Sequence, residues 1–252
     1  MKILLSIDDT DNLESRGTGE IASLIAAALQ EQGWGSASFV TRHQLLVHPD
    51  IPYTSHNSAM CFVAEIEEGD LDQITAFAKD FLNHECAEGS DPGLCVAVLD
   101  RLASADDLIA FGQRAKLEVI TMQEAFDLAG RLGVHLSAHG GTGQGVIGAL
   151  AGAGLRLWGN DGRMKGCLEF SEPGSRLRVA DLLDHPGVEA VRCVAGGVVR
   201  ADDLVQVGEK PKTVLLDGVS VLLLSAVQGG GDGEAGCRAN WQTLHRKQLR
   251  GY

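Results

Sequence analysis

The sequence predicts an α/β (α+β) protein that ends in a small β-rich C-terminal module. Three observations point there. The run Ile3-Leu4-Leu5-Ser6-Ile7 has a single polar interruption, as a buried central strand does. Strand-like and helix-like segments then alternate as far as about Leu150. After Phe170 the pattern turns to short β-leaning runs, and two of them, Thr213 to Leu216 and Val219 to Leu224, are joined by Asp217-Gly218, a two-residue hairpin signature.

The first strand runs into Asp8-Asp9-Thr10-Asp11, three carboxylates within four positions. Carboxylates this close repel one another unless a cation, hydrogen-bond donors or solvent offsets the charge, and Mg²⁺ is the hard, oxygen-seeking ion that suits them. Gly17-Thr18-Gly19 follows and leads into a helix over Glu20 to Gln30. Glycines at a helix start let backbone N–H groups approach an anion, so one segment offers both a metal site and a phosphate site. The same short polar side chains also fit a plain Asx turn.

Ala37 to Val47 and Ser58 to Glu67 read as strands, and Leu71 to Cys86 as an amphipathic helix opened by Asp70 with Gln73. Leu94 to Leu99 is a further strand, and Ser104 with Asp107 starts a helix to about Ala115. Thr121-Met122-Gln123-Glu124 has the capping-box pattern, Ala125 to Leu132 has helical spacing, and Gly133 closes that helix. A short strand, Val134 to Ala138, then meets His139-Gly140-Gly141-Thr142-Gly143-Gln144-Gly145-Val146-Ile147-Gly148, with G-x-G-x-x-G from Gly143 to Gly148. A strand before and a helix after give the context of a phosphate-cradling turn. A dinucleotide fold is disfavoured, because Asp161 comes too early for its ribose ligand and Glu169 sits in no βαβ frame. The competing reading of Gly148, Gly152 and Gly154 is close helix packing.

Glu172-Pro173-Gly174 marks a boundary, which divides the chain into 1–170 and 171–252. Val188 to Val194, Leu204 to Val207 and the hairpin are the strands of the second part; a Gly-rich linker, Gln228 to Gly236, leads to an expected terminal amphipathic helix over Arg238 to Arg250. That tail gathers Arg246, Lys247 and Arg250 with Trp241 and His245. Elsewhere acid dominates: 21 Lys and Arg face 34 Asp and Glu, a formal net charge of -13, the wrong sign for holding a polyanion over many phosphates. A small or cationic substrate fits better. Six cysteines contain no C-x-x-C pair, so a structural zinc site is not expected and a reducing compartment is. Without a leader or an apolar run near 18 residues, the expectation is a cytoplasmic enzyme with no membrane span. His43, His48, His56 and His84 share no ligand spacing and read as surface or loop residues.

Ile7-Asp8-Asp9-Thr10-Asp11, the stretch from Ile51-Pro52-Tyr53 to Asn57-Ser58-Ala59, Ser90-Asp91-Pro92-Gly93, and Gly143-Gln144-Gly145-Val146-Ile147-Gly148-Ala149-Leu150 occur in that order. The set resembles the amino-terminal part of the archaeal tRNA 2-agmatinylcytidine synthetase family, over about residues 1 to 170. The resemblance implies an ATP-dependent enzyme with a kinase-like domain and a ferredoxin-like unit, which activates a tRNA cytidine by phosphorylation before agmatine displaces the phosphate. Strand, strand, helix, strand, helix over Ala37 to Ala115 is compatible with that ferredoxin-like unit. Carried over, Asp8, Asp9 and Asp11 hold Mg²⁺ and the nucleotide phosphates, Gly143, Gly145 and Gly148 belong to the nucleotide-facing loop, and Asn57 matches a family asparagine.

Two departures stand out. Where the family has Gly-x-Cys-Thr-Thr with a phosphorylated threonine, this chain reads Arg16-Gly17-Thr18-Gly19-Glu20; Thr18 or Glu20 falls under that threonine, depending on the gap. No sequence for the family's OB-fold or zinc ribbon is evident. The reading is therefore an ATP- and Mg²⁺-dependent phosphoryl-transfer or substrate-activating enzyme. In it Asp8, Asp9 and Asp11 anchor the cation, Thr10, Gly17, Gly19, Asn57 and Gly140 to Gly148 (Gly140, Gly141, Thr142, Gly143, Gly145 and Gly148) surround the nucleotide, and Thr18 is acceptor, phosphate ligand or helix-start hydroxyl. The alternatives are a non-catalytic nucleotide-binding regulator and a tRNA-modifying enzyme whose RNA a partner delivers. The C-terminal module is expected to cover one end of the site, support a homo-oligomer, or bind whatever replaces tRNA.

Overall fold

A computed structural model describes residues 1–51, 57–170, 174–227 and 241–252. They form two compact units, Met1–Trp158 and Gly159–Tyr252. The division falls upstream of Glu172-Pro173, which lie outside the described residues.

In the first unit the elements are β1 (Lys2–Asp8), α1 (Thr18–Glu31), β2 (Gly35–Ala37), β3 (Thr41–Gln44), β4 (Ser58–Ile66), α2 (Leu71–Glu85), β5 (Gly93–Val98), α3 (Ala105–Arg114), α4 (Met122–Leu132), β6 (His135–Ala138) and α5 (Gly145–Trp158). The sheet runs β6-β5-β1-β4-β3, with β2 also on β4, and each of these pairs is antiparallel. β1 is buried from Ile3 to Asp8 because both sheet faces are covered. Ile3, Leu5 and Ile7 pack with α1 and α2 through Ile21, Ile25, Leu29, Ile74 and Leu82. Leu4, Cys61 and Cys95 face α3, α4 and α5.

This order places the ferredoxin-like unit where the sequence did not. β1-α1-β2/β3-β4-α2-β5, with its last strand beside its first and its third beyond that, is the split β-α-β pattern, and it begins at Lys2 rather than Ala37. The acidic motif therefore ends the first strand of that unit, and β1 lies between antiparallel neighbours rather than in a parallel sheet. The expected strand over Ala37 to Val47 is also broken. Ala37 pairs with Ala64 and Thr41 with Cys61, so four steps on one side oppose three on the other. The extra residue bulges, and the Ser38 hydroxyl accepts from Val63 N–H at 3.0 Å in the gap.

Local signals hold elsewhere. Thr121 and Glu124 form a complete capping box, and Gly133 closes α4 at φ 70°. Ser104 accepts from Asp107 N–H at the head of α3. Asp70 makes no cap bond, because a 3₁₀ turn over Glu68–Asp70 already leads into α2. His43 is fully buried, its Nε2 2.7 Å from Thr41 Oγ1, instead of lying on the surface. His56 lies outside the described residues.

The second unit contains β7 (Arg163–Met164), β8 (Arg176–Arg178), α6 (Val179–Leu183), β9 (Ala190–Cys193), β10 (Leu204–Gln206), β11 (Thr213–Leu216), β12 (Val219–Ala226) and β13 (Trp241–Thr243). Asp217 at φ 53° and Gly218 at φ 77° make the left-handed pair that a tight hairpin between β11 and β12 requires. The expected terminal helix is corrected: Trp241 to Thr243 is a strand, parallel to β10 and antiparallel to β12, and turns follow it. Backbone pairing on two sides, burial of Leu244 and Leu249, and a Trp241 Nε1–Asp203 hydrogen bond of 2.9 Å outweigh an amphipathic pattern. The Gly-rich segment from Gln228 to Gly236 lies outside the described residues.

α5 is held close by glycines. A side chain at Gly154 would overlap the Leu108 carbonyl oxygen on α3, and one at Gly152 would come within 2.6 Å of Ser6 Oγ on β1. Gly154→Ala is expected to destabilise the protein by about 1–3 kcal/mol, as overpacking does. Gly130→Ala, at a helical position with open space around it, should instead gain roughly 0.5–1 kcal/mol. Urea unfolding of both variants checks the contrast.

Candidate functional site

The site begins where β1 stops. Asp8 is the last strand residue and is 8% exposed; its carboxylate lies against α5 where Gly148 has no side chain, and any Cβ there would overlap it. Asp9 takes φ 51°, a left-handed conformation that Asp tolerates better than most residues, and turns the chain off the sheet. Thr10 is then fully buried and its carbonyl accepts from Ala87 N–H at 3.0 Å. Asp11 reaches the start of α1: Thr18 Oγ1 donates to Asp11 Oδ1 at 2.9 Å and accepts from Thr10 N–H at 3.4 Å. Gly17 is the N-cap of α1 and lies under Asp11. The first glycine turn therefore sits on the acidic motif.

The second arrives through Asp91, just ahead of β5. Its carboxylate accepts from both the amide and the hydroxyl of Thr142, the hydroxyl at 2.5 Å, while its carbonyl accepts from Gly145 N–H at 3.1 Å. A side chain at Gly141, which has φ 52°, would overlap that carboxylate. The loop from Gly140 to Gly145 is thus wrapped over Asp91, and two amides of the expected phosphate cradle, Thr142 and Gly145, are already engaged. Those of Gly143 and Gln144 meet no acceptor among the described residues. Gly148 is a packing glycine, and what it packs against is Asp8.

Asp91 is the residue that sequence reasoning missed. Its segment stands out in the sequence, but only the fold shows that one aspartate clamps the glycine loop beside Asp9. No Lys or Arg pairs with Asp8, Asp9 or Asp91 among the described residues. Burial, then the neighbouring Asp9 and Asp11 charges, push Asp8 up to about 8. Burial, then Asp91 and Asp11, push Asp9 up to about 6. Even so, no three His, Cys, Asp or Glu side chains among the described residues are set as a ready metal-ligand group. The hydroxyl of Thr10 is buried without a partner among them.

Beside Asp8 opens a cleft lined by Asn57, Gln144, Ile147, Gly148, Asp50 and Glu118. Its enclosed part holds about 70 Å³, but about 550 Å³ lies within it when the open mouth is counted, so only with the mouth does it reach the ~300–1,000 Å³ usual for an organic ligand. Asn57 is tied to the cleft wall: its Nδ2 donates to the Leu46 carbonyl at 2.7 Å and its own carbonyl accepts from Leu45 N–H.

Fold and site together define a class: a mixed α/β protein with a ferredoxin-like unit whose first strand ends in an acidic pole faced by two glycine turns. No protein-family model matches the chain. Over 160 residues, 62% of this chain, it is 30% identical to the tRNA 2-agmatinylcytidine synthetase TiaS of Methanosarcina acetivorans, an enzyme of an isoleucine tRNA, and 29% identical to the TiaS of Methanosarcina mazei. The match spans 36% of the length of each of those relatives. Among solved structures, a complex of TiaS with its isoleucine tRNA and ATP matches 61% of this chain and 36% of its own at a TM-score of 0.54 and 26% identity. Apo TiaS matches 61% of this chain and 35% of its own at 0.52 and 25%. The resemblance read from the motifs is borne out: part of this chain is TiaS-like.

The buried carboxyl of Asp8 yields a pH prediction. Folded, it keeps its proton to about pH 8; its ordinary value is 3.8. Between those limits the unfolded chain is the more deprotonated, so stability falls as pH rises. Asp8→Asn, which cannot ionise, is expected to flatten that fall and to melt higher than the parent at pH 8 by roughly 3 °C or more, since ~1 kcal/mol moves Tm by about 2–4 °C at this size. Thermal unfolding from pH 5 to 8.5 checks it; equal slopes for the two proteins would refute the burial argument.

Proposed function

We propose that the first unit binds ATP with Mg²⁺ at the acidic pole and uses it for phosphoryl transfer to, or activation of, a small or cationic substrate. The observation that carries this reading is the convergence of both glycine turns on β1's acidic end, within a chain that is TiaS-like in part. The donor chemistry fits the ion. Mg²⁺ keeps several waters and takes one or two carboxylates beside substrate phosphates, so it needs no preformed cage of three. Asp9 and Asp11, both partly exposed, would hold it, with Asp8 behind them. Bound there, the ion would offset charge on the phosphates.

The protein's own part is positioning and charge. The amides of Thr18 and Gly19 head α1, and those of Gly143 and Gln144 stand free in the second turn, so both turns present donors to phosphate oxygens. Thr18 is committed to Asp11 and holds the acidic loop to α1. Acidic Asp50 and Glu118 on the cleft wall would favour a cationic substrate. The relatives are named for 2-agmatinylcytidine synthesis in an isoleucine tRNA, and a TiaS is solved with that tRNA and ATP. For RNA here, charge division matters: residues 159–252 hold 12 Lys and Arg against 12 Asp and Glu, so the whole excess of 13 acids lies in 1–158. If RNA is the substrate, the second unit or a partner holds it. A nucleotide sensor without turnover is the second reading, favoured by the committed Thr18 hydroxyl.

Asp9→Asn is expected to lower ATP consumption by at least ~10²-fold, the scale of losing one preorganised electrostatic group, without changing the fold. ATP consumption with amines and with tRNA, read beside calorimetric ATP binding, tests it. Metal-dependent binding with no product under any condition would leave the sensor reading, and a normal rate in the variant would remove the metal assignment. Chelating Mg²⁺ with EDTA should abolish ATP binding, and a tRNA gel shift that is absent even at low salt would exclude RNA.

A further inference from the structure

His135 and Ser137 alternate on the edge strand β6 and so face one side of the sheet, and His139, one residue past its end, meets Ser137 there. The side is fixed by register: Ser137 lies opposite Leu94 and His135 opposite Val96, and both of those pack toward α1 and α2. There α2 presents Lys79 and Asn83, four residues apart on one helix face. His135 Nε2 is 3.0 Å from Ser137 Oγ, Ser137 Oγ is 2.8 Å from His139 Nε2, and His139 Nδ1 is 3.0 Å from Asn83 Oδ1.

Asn83 turns its amide oxygen to His139, and that contact sets the direction of these bonds. An amide oxygen only accepts, so His139 carries its proton on Nδ1 and donates it to Asn83. Burial and the Lys79 charge hold both imidazoles below the usual histidine range, so His139 is neutral near pH 7 and its Nε2 bears a lone pair. Ser137 must donate its hydroxyl proton to that lone pair, and its oxygen then accepts from His135 Nε2–H. A hydroxyl hydrogen-bonded to a neutral imidazole, with the imidazole oriented by a third group, is the arrangement of an activated nucleophile. Lys79 pairs with no carboxylate among the described residues, which leaves a cation whose charge reaches both imidazoles available to an anionic group.

We propose that Ser137 is a nucleophilic serine, activated by His139, whose imidazole Asn83 orients, and that it accepts a phosphoryl group from an activated phosphate compound. In the step, Ser137 Oγ bonds to phosphorus, the bond from phosphorus to its leaving group breaks, that group departs with the electron pair, and the hydroxyl proton passes to His139 Nε2. Asn83 Oδ1 stays bonded to the resulting imidazolium at Nδ1. The site does not depend on nucleotide binding at the acidic pole.

The test uses diisopropyl phosphorofluoridate, whose leaving group is fluoride, on the full chain, read by intact mass and peptide mapping. One diisopropylphosphoryl group is expected, on Ser137, and Ser137→Ala should abolish it. His139→Gln should slow labelling by at least ~10²-fold, the usual scale of a general base, and Asn83→Ala by about tenfold. Circular dichroism and thermal melts confirm each variant as folded; should His139→Gln fail to fold, the Asn83→Ala rate decides alone. No adduct on the folded parent protein, or equal labelling rates in the parent and the folded variants, would overturn the proposal and leave a structural ladder that ties β6 to α2.

Discussion

The end of β1 carries a conflict that the surrounding structure is built around. Asp8 is buried between a sheet and a helix, Asp9 and Asp91 lie within reach of each other's charge, and Asp11 adds a third charge against both Asp8 and Asp9. Like charges in a low-dielectric setting destabilise unless something offsets them. What the fold supplies is backbone: a left-handed Asp9, the start of α1 under Asp11, and a glycine loop wrapped on Asp91. Donors of this kind soften the repulsion without removing it, so burial holds Asp8 protonated.

Close packing reaches that acidic end through a glycine. Gly148 could be read from sequence either as a helix-packing position or as part of a phosphate loop. In the structure Gly148 is a packing position, and what it packs against is the Asp8 carboxylate, whose space a side chain there would occupy. Farther along α5 the purpose divides: Gly152 admits Ser6 and Ala59, and Gly154 admits α3, away from the acidic end.

What the sequence made legible was local. The Thr121 capping box, the Gly133 cap and the Asp217-Gly218 hairpin depend on residues a few positions apart, and each forms as read. The acidic motif and both glycine turns were visible because their residue types are destabilising elsewhere. Non-local facts were not visible. The bulge at Ser38 is set by the register of β4, about twenty residues on. The strand at Trp241 exists because β10 and β12 leave a backbone edge to pair with, which no helical periodicity reports. Asp91 stood in the sequence only as part of the Ser90-Asp91-Pro92-Gly93 segment, and its grip on Thr142 spans 51 positions. The alternation of His135, Ser137 and His139 is plain in the sequence, but the Asn83 that gives it a direction is on another element.

Charge adds one more step. The acid excess is confined to the unit that carries the pole, while the second unit is balanced and gathers Arg246, Lys247 and Arg250 in its last turns. A uniform negative surface would repel every polyanion alike. An acidic unit joined to a neutral one does not. The first repels phosphodiesters that no metal screens and attracts cations, and the second is free to meet an anion without that penalty. The net charge of -13 therefore describes the first unit's chemistry, and argues about RNA only for that unit.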